Sequence, residues 1–139
     1  MGQGRDTVQR FYDEVANGGN VDAVDELVAD DFVEHEEFPG VPPTKEGVKQ
    51  LFAQSHAAFT GFRMEPRHWV EDGDMVVAWL RATGTHTGEF IGIPPSGNAI
   101  DFELVDLCRV RNGQIVEHWG ISDSLTMMQQ LGAIPGPPA

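Results

Sequence analysis

Val8, Phe11, Tyr12 and Val15 recur at i, i+3, i+4 and i+7, the stripe of an amphipathic helix, and Asn17-Gly18-Gly19-Asn20 stops it. Val21, Val24, Leu27 and Val28 repeat the spacing in a second, shorter helix expected to end near Asp30. Phe32 to His35 reads as a short extended piece, and Pro39, Pro42 and Pro43 make the next segment a loop. Thr44 is placed to cap a third helix whose stripe is Val48, Leu51, Phe52, Ser55 and Phe59. After Gly61 the period changes to two. Phe62 to Glu71 is a strand with Pro66 as a bulge or weak point, and Asp72-Gly73 is a hairpin turn into a long strand, Asp74 to Thr85. A loop at Gly92 to Asn98 precedes a strand from Ala99 to Arg111. Asn112-Gly113 turns it into a last strand, Gln114 to Ile121, and Ser124 to Leu131 forms a short closing helix. Ile134 to Ala139, with three prolines, is a tail.

Helices first and strands afterwards, in a meander, give the α+β class, with three helices covering one face of a curved antiparallel sheet of four to six strands. Such a sheet closed by helices leaves a conical hollow suited to a small molecule. No repeat or linker divides the chain, so residues 1–139 are expected to form one domain.

Alternation also sorts side chains by face. Val76, Ala78, Leu80, Ala82, Gly84 and His86 share one side of the long strand, small and apolar enough for a core or cavity wall. Val77, Trp79, Arg81, Thr83 and Thr85 share the other, a bulkier face suited to a dimer contact or a half-wet surface. In the next strand Asp106 lies in the apolar row Phe102, Leu104, Cys108, Val110. It therefore needs a partner or a raised pKa.

Charge narrows the partners. Nine basic against 22 acidic residues leave a formal charge of −13, and Lys45, Lys49, Arg63 and Arg67 are scattered. A nucleic-acid backbone or an anionic membrane is therefore not an expected partner. No apolar run reaches the length of a membrane span, and Met1 to Arg10 lacks the apolar stretch of a signal peptide. With Cys108 as the sole cysteine, a cytoplasmic location is expected.

Candidate chemistry rests on few residues. Trp119, Ile121 and Asp123 point the same way if the last strand stays extended, which sets a carboxylate against an indole. Desolvation there would bring Asp123 toward an acid/base pKa; the alternative is that Asp123 caps the closing helix. His118 stands beside Trp119, His86 ends the apolar row between Gly84 and Gly88, and His35 sits at the helix–sheet junction. Tyr12 lies on an apolar stripe, where packing with a satisfied hydroxyl is the default. Glu34, Glu36 and Glu37 read as a solvated acidic run. No HExxH, CxxC pair, EF-hand, GxSxG, P-loop or GxGxxG occurs, so neither metal nor cofactor is expected.

Three ordered stretches resemble the SnoaL-like polyketide cyclases of the NTF2-like superfamily. Gly84-Thr85-His86-Thr87-Gly88-Glu89-Phe90-Ile91-Gly92-Ile93-Pro94-Pro95-Ser96-Gly97 is similar to their GTHxGxFxGxPPTG segment, with Ser96 for the usual threonine. Gly113-Gln114-Ile115-Val116-Glu117-His118-Trp119, followed by Asp123 and Gln129-Gln130-Leu131-Gly132, is similar to their GKIxEHWxxxD…QLG ending, with Gln114 for lysine. Phe32-Val33-Glu34-His35 matches an early FxxH element. The resemblance implies an NTF2-like cone, a homodimer, and cofactor-free intramolecular aldol closure of a polyketide methyl ester, with an aspartate at the Asp123 position as acid/base.

The expected catalytic set is therefore Asp123, His118, His86 and His35. Tyr12, Trp119, Trp79, Asp106 and Phe52 are expected to contact a small, largely apolar carbonyl substrate. The alternative is a non-catalytic protein that binds a hydrophobic small molecule in the same hollow.

Overall fold

The computed structural model describes residues 2–136. Helix α1 (Gln3–Arg10) continues through wider π-type turns over Phe11–Asn17, so the predicted stripe is one rod with Val8, Tyr12 and Val15 buried. A single turn, Val21–Ala23, leads into α2 (Val24–Leu27). That helix stops three residues before the expected Asp30, because Val28 turns extended and opens β1 (Val28–Glu34). Thr44 caps α3 (Lys45–Ala58), its side chain accepting from the Gly47 N–H. Then come β2 (Phe59–Asp72), β3 (Met75–His86), β4 (Ala99–Arg111), β5 (Gln114–Ser122) and α4 (Ser124–Gln130). The tail residues 137–139 lie outside the described residues.

Both hairpins follow from local chemistry. Asn112 and Gly113 stand at positive φ, as a two-residue turn with strand-compatible twist requires. The first turn lies one residue later than expected, at Gly73–Asp74, with Gly73 at φ 60°. The β2–β3 register shifts between Pro66 and His68, the bulge that a proline imposes.

The five strands pair in the order β1-β5-β4-β3-β2. The meander accounts for four of them. The fifth, β1, adds parallel to β5, with Glu34 beside His118. Helices cover the concave face, where Tyr12, Val15, Val24 and Leu27 meet Val76, Ala78, Leu80 and Leu104. Each of the buried valines and leucines contributes about 1.5–3 kcal/mol. A second apolar cluster, Ala58, Phe59, Phe90, Ile100 and Leu131, closes the far end. The predicted inward rows hold: Val76, Ala78, Leu80, Ala82 and His86 are buried, as are Leu104, Asp106, Cys108 and Val110. Among the described residues no helix is long and apolar enough to cross a membrane.

Candidate active site

Between the helices and the concave face lies a cavity of about 320 Å³. That is within the usual range for small-molecule sites. Phe11, Phe52, Phe62, Met64, Phe102 and Leu104 supply apolar wall, and Met127 and Met128 of α4 add to it. Polar groups gather at one end, where β1, β4 and β5 lie side by side. Over residues 32 to 36 the chain alternates, with Phe32, Glu34 and Glu36 lining the cavity and Val33 and His35 exposed, and Glu37 and Phe38 then line its edge. The His35 N–H donates to the His118 carbonyl, which carries this alternation past the formal end of β1.

The polar end is a connected network. The Tyr12 hydroxyl donates to Asp106 Oδ2 at 2.7 Å, and His118 Nε2 donates to Asp106 Oδ1 at 2.7 Å. The other ring nitrogen, Nδ1, bonds to Glu34 Oε2. Burial by itself would lower the His118 pKa. The Asp106 charge and the hydrogen bonds to Asp106 and Glu34 override it and hold the ring as an imidazolium, with a pKa of about 10. Burial, and then the Asp106 charge, raise the Tyr12 phenol well above its ordinary value. Glu36 stands beside this network, its carboxyl pushed up to about 7 chiefly by burial.

Four of the expected residues meet here: His118, Asp106, Tyr12 and Phe52 all line the cavity. The others do not. Asp123 is exposed and caps α4, accepting from the Thr126 N–H at 3.2 Å and the Thr126 hydroxyl at 2.7 Å. Those bonds lower its pKa, opposite to the shift expected for a carboxylate dried against an indole. Trp119 faces the convex side and stacks on His35 with ring centroids 4.7 Å apart. His35 in turn bonds to Glu117 at 2.7 Å. Trp79 is 46% exposed on the same convex side, edge-on to His68. Strand alternation explains all of these: inward His118 sends Glu117 and Trp119 outward.

His86 is fully buried but does not line the cavity. Its Nδ1 accepts from the Ser96 N–H at 3.1 Å and lies 2.9 Å from the Ser96 hydroxyl, which fastens the Gly88–Gly97 loop beside the mouth. Nε2 has no partner among the described residues.

Glu34 and Glu36 are the residues that sequence reasoning missed. Adjacent acidic residues suggest a solvated run, yet the Phe32–Glu34–Glu36–Phe38 period of two was the signal for an inward row. Glu36, Asp106 and His118 each bring one donor atom within 4.8 Å of the others, the spacing of a metal site. His118 spends both ring nitrogens on carboxylates, so a metal ion there would have to displace one of those hydrogen bonds and its proton.

The match to known proteins covers this whole architecture. The family model described as SnoaL-like polyketide cyclase matches residues 6–131. The chain belongs to the SnoaL-like polyketide cyclase family. The nogalonic acid methyl ester cyclase of Streptomyces nogalater is 31% identical over 122 residues, covering 84% of this chain and 88% of that one. The aklanonic acid methyl ester cyclase DauD of Streptomyces sp. strain C5 is 31% identical, over 91% of this chain and 80% of that one. Among solved structures, wild-type IdmH from Streptomyces antibioticus superposes with a TM-score of 0.80 at 36% identity, covering 94% and 99% of the two chains. TsrD from Streptomyces laurentii, at 23% identity and TM-score 0.85 over 95% and 96% of the chains, shares the fold. The NTF2-like α+β architecture expected from the sequence is the one this SnoaL-like family member adopts.

Proposed function

We propose that this SnoaL-like protein is a cofactor-free acid/base enzyme that closes a ring in a largely apolar, polyketide-type carbonyl substrate by an intramolecular aldol reaction. The observation that carries this is the placement of one charged, hydrogen-bonded end, His118 with Asp106, Glu34 and Glu36, in an otherwise apolar cavity. Two relatives are named for the methyl esters of nogalonic and aklanonic acid, which supports this substrate class.

The chemistry asks little beyond what the cavity holds. A carbon between two carbonyls loses a proton to a carboxylate, and the C–H electron pair becomes the enolate. The enolate carbon attacks a second carbonyl carbon of the same molecule, a C–C bond forms, and the former carbonyl oxygen takes up a proton. Substrate and product have the same atoms, so no co-reactant is consumed. The apolar walls hold the chain folded, which supplies proximity. The His118 imidazolium, fixed in a low-dielectric site, stabilises the negative oxygen that develops nearby.

The test is direct. The purified protein is incubated with nogalonic and aklanonic acid methyl esters, and a product of unchanged mass and new retention time is sought by chromatography. Asp106→Asn, which removes the charge that holds His118 as an imidazolium, should lower kcat by about a hundredfold or more. An ester that raises the melting temperature but is never converted would instead favour a hydrophobic binding protein.

A further inference from the structure

Three carboxyl groups surround His118, and two are already committed. Asp106 accepts from Tyr12 and from His118. Glu34 takes the other His118 nitrogen, and its Oε2 also accepts the Glu36 backbone N–H at 3.2 Å. Glu36 differs. Its Oε2 has one distant contact, the Ser122 hydroxyl at 3.5 Å, and its Oε1 has no hydrogen-bond partner among the described residues.

Oε1 occupies a slot that exists because residue 120 is glycine. Gly120 pairs with Asp106 across β4 and β5. A Cβ there would stand 2.2 Å from Glu36 Oε1, 2.7 Å from its Cδ and 3.0 Å from His118 Cε1. Gly120 has no positive φ, so backbone conformation does not demand glycine at this site. The space does. An alanine would evict the carboxyl from beside the imidazolium.

We infer that Glu36, seated in the Gly120 slot, is the catalytic base that takes the substrate's carbon-bound proton and returns it to the new hydroxyl oxygen. This inference rests on the aldol reading of the cavity. In the step, the C–H bond breaks, its electron pair passes into the enolate, and the proton sits on Glu36. After the C–C bond forms, the same proton moves from Glu36 to the alkoxide, so the enzyme returns to its starting state. Asp106 and Glu34 stay hydrogen-bonded to His118 and do not exchange protons with substrate.

The groups facing Glu36 are Glu34 from β1, Asp106 from β4 and His118 from β5, with Tyr12 behind Asp106 and Glu37 exposed next to it in sequence. The α3 and α4 side chains on the cavity, among them Phe52, Ser55, Met127 and Met128, carry no charge. Burial lifts the Glu36 carboxyl, the His118 cation pulls it back, and the Asp106 and Glu34 charges lift it again, to about 7. A base poised there is half ionised at neutral pH, where proton transfer in both directions is efficient.

Two assays judge the inference separately from the aldol reading. The first follows exchange of the methylene protons of methyl benzoylacetate with D2O by NMR, which needs a base but no ring closure. The second follows ring closure of the two methyl esters. Wild type should accelerate exchange above buffer, with an acid limb near pH 7. Glu36→Gln, which keeps the side chain's shape, should lose about a hundredfold or more and lose that limb. Gly120→Ala should match it while its circular dichroism stays native. Exchange that survives in Glu36→Gln, or that wild type does not accelerate, overturns the assignment of Glu36. Exchange that depends on Glu36 while neither ester cyclises upholds Glu36 and removes the aldol reading.

Discussion

The Tyr12 hydroxyl on the first helical rod donates to the carboxylate of Asp106 on β4, 94 residues later, at 2.7 Å. Both residues are nearly fully buried, so this bond joins the helical layer to the sheet at the polar end of the cavity. Tyr12→Phe leaves a buried carboxylate with one donor fewer. It should cost about 1.5–3 kcal/mol in denaturant unfolding. A variant as stable as the parent would show that the phenol merely packs.

Asp123 tests whether the carboxylate after the EHW motif acts by chemistry or by structure. Its two bonds to Thr126 fix the first turn of α4, which carries Met127 and Met128 into the cavity wall. Asp123→Ala should lower stability by about 1 kcal/mol, while Asp123→Asn, also a good cap, should be near neutral. Ester turnover by Asp123→Asn should stay within a few-fold of the parent. A loss as large as that expected of Glu36→Gln would return the acid/base role to Asp123.

Stability should fall as pH rises from neutral to alkaline. His118 has a folded pKa of about 10, above its unfolded value near 6.5, so its contribution is complete below 6.5 and is lost as pH rises through 10. Glu36 has the same sign. Its raised carboxyl favours the folded state below about 4.5 and loses that contribution as pH rises through about 7. Melting temperatures measured from pH 5 to 10 should therefore decline, and Glu36→Gln should remove the part of the decline near pH 7. A melting temperature flat from pH 6 to 10 would contradict the charged network around His118.

The convex sheet face carries exposed apolar groups, with Trp79 at 46%, Val33 at 47% and Ile121 at 79%. We propose that a second copy of this chain packs on this face. Light scattering at micromolar concentration should give the dimer mass, and Trp79→Asp should give a monomer with native circular dichroism. A monomeric parent would refute this.

The sequence by itself determined which residues face inward on β3 and β4, because a period of two leaves one arrangement once an apolar row must be buried. It likewise set the Thr44 cap, the Asn112-Gly113 turn and the bulge at Pro66, each governed by local backbone chemistry. It placed Asp106 in an apolar row, which called for a partner or a raised pKa. Only the tertiary structure decided that the partners are Tyr12, 94 residues away, and His118, which a register shift between Arg109 and Val110 turns onto the Asp106 face. The parallel seating of β1 on β5 was also out of reach, and with it the burial of Glu34 and Glu36, two acids that read as solvated in the linear chain. The Gly120 slot shows the reason most plainly: a missing side chain has meaning only once another residue is seen to fill its place.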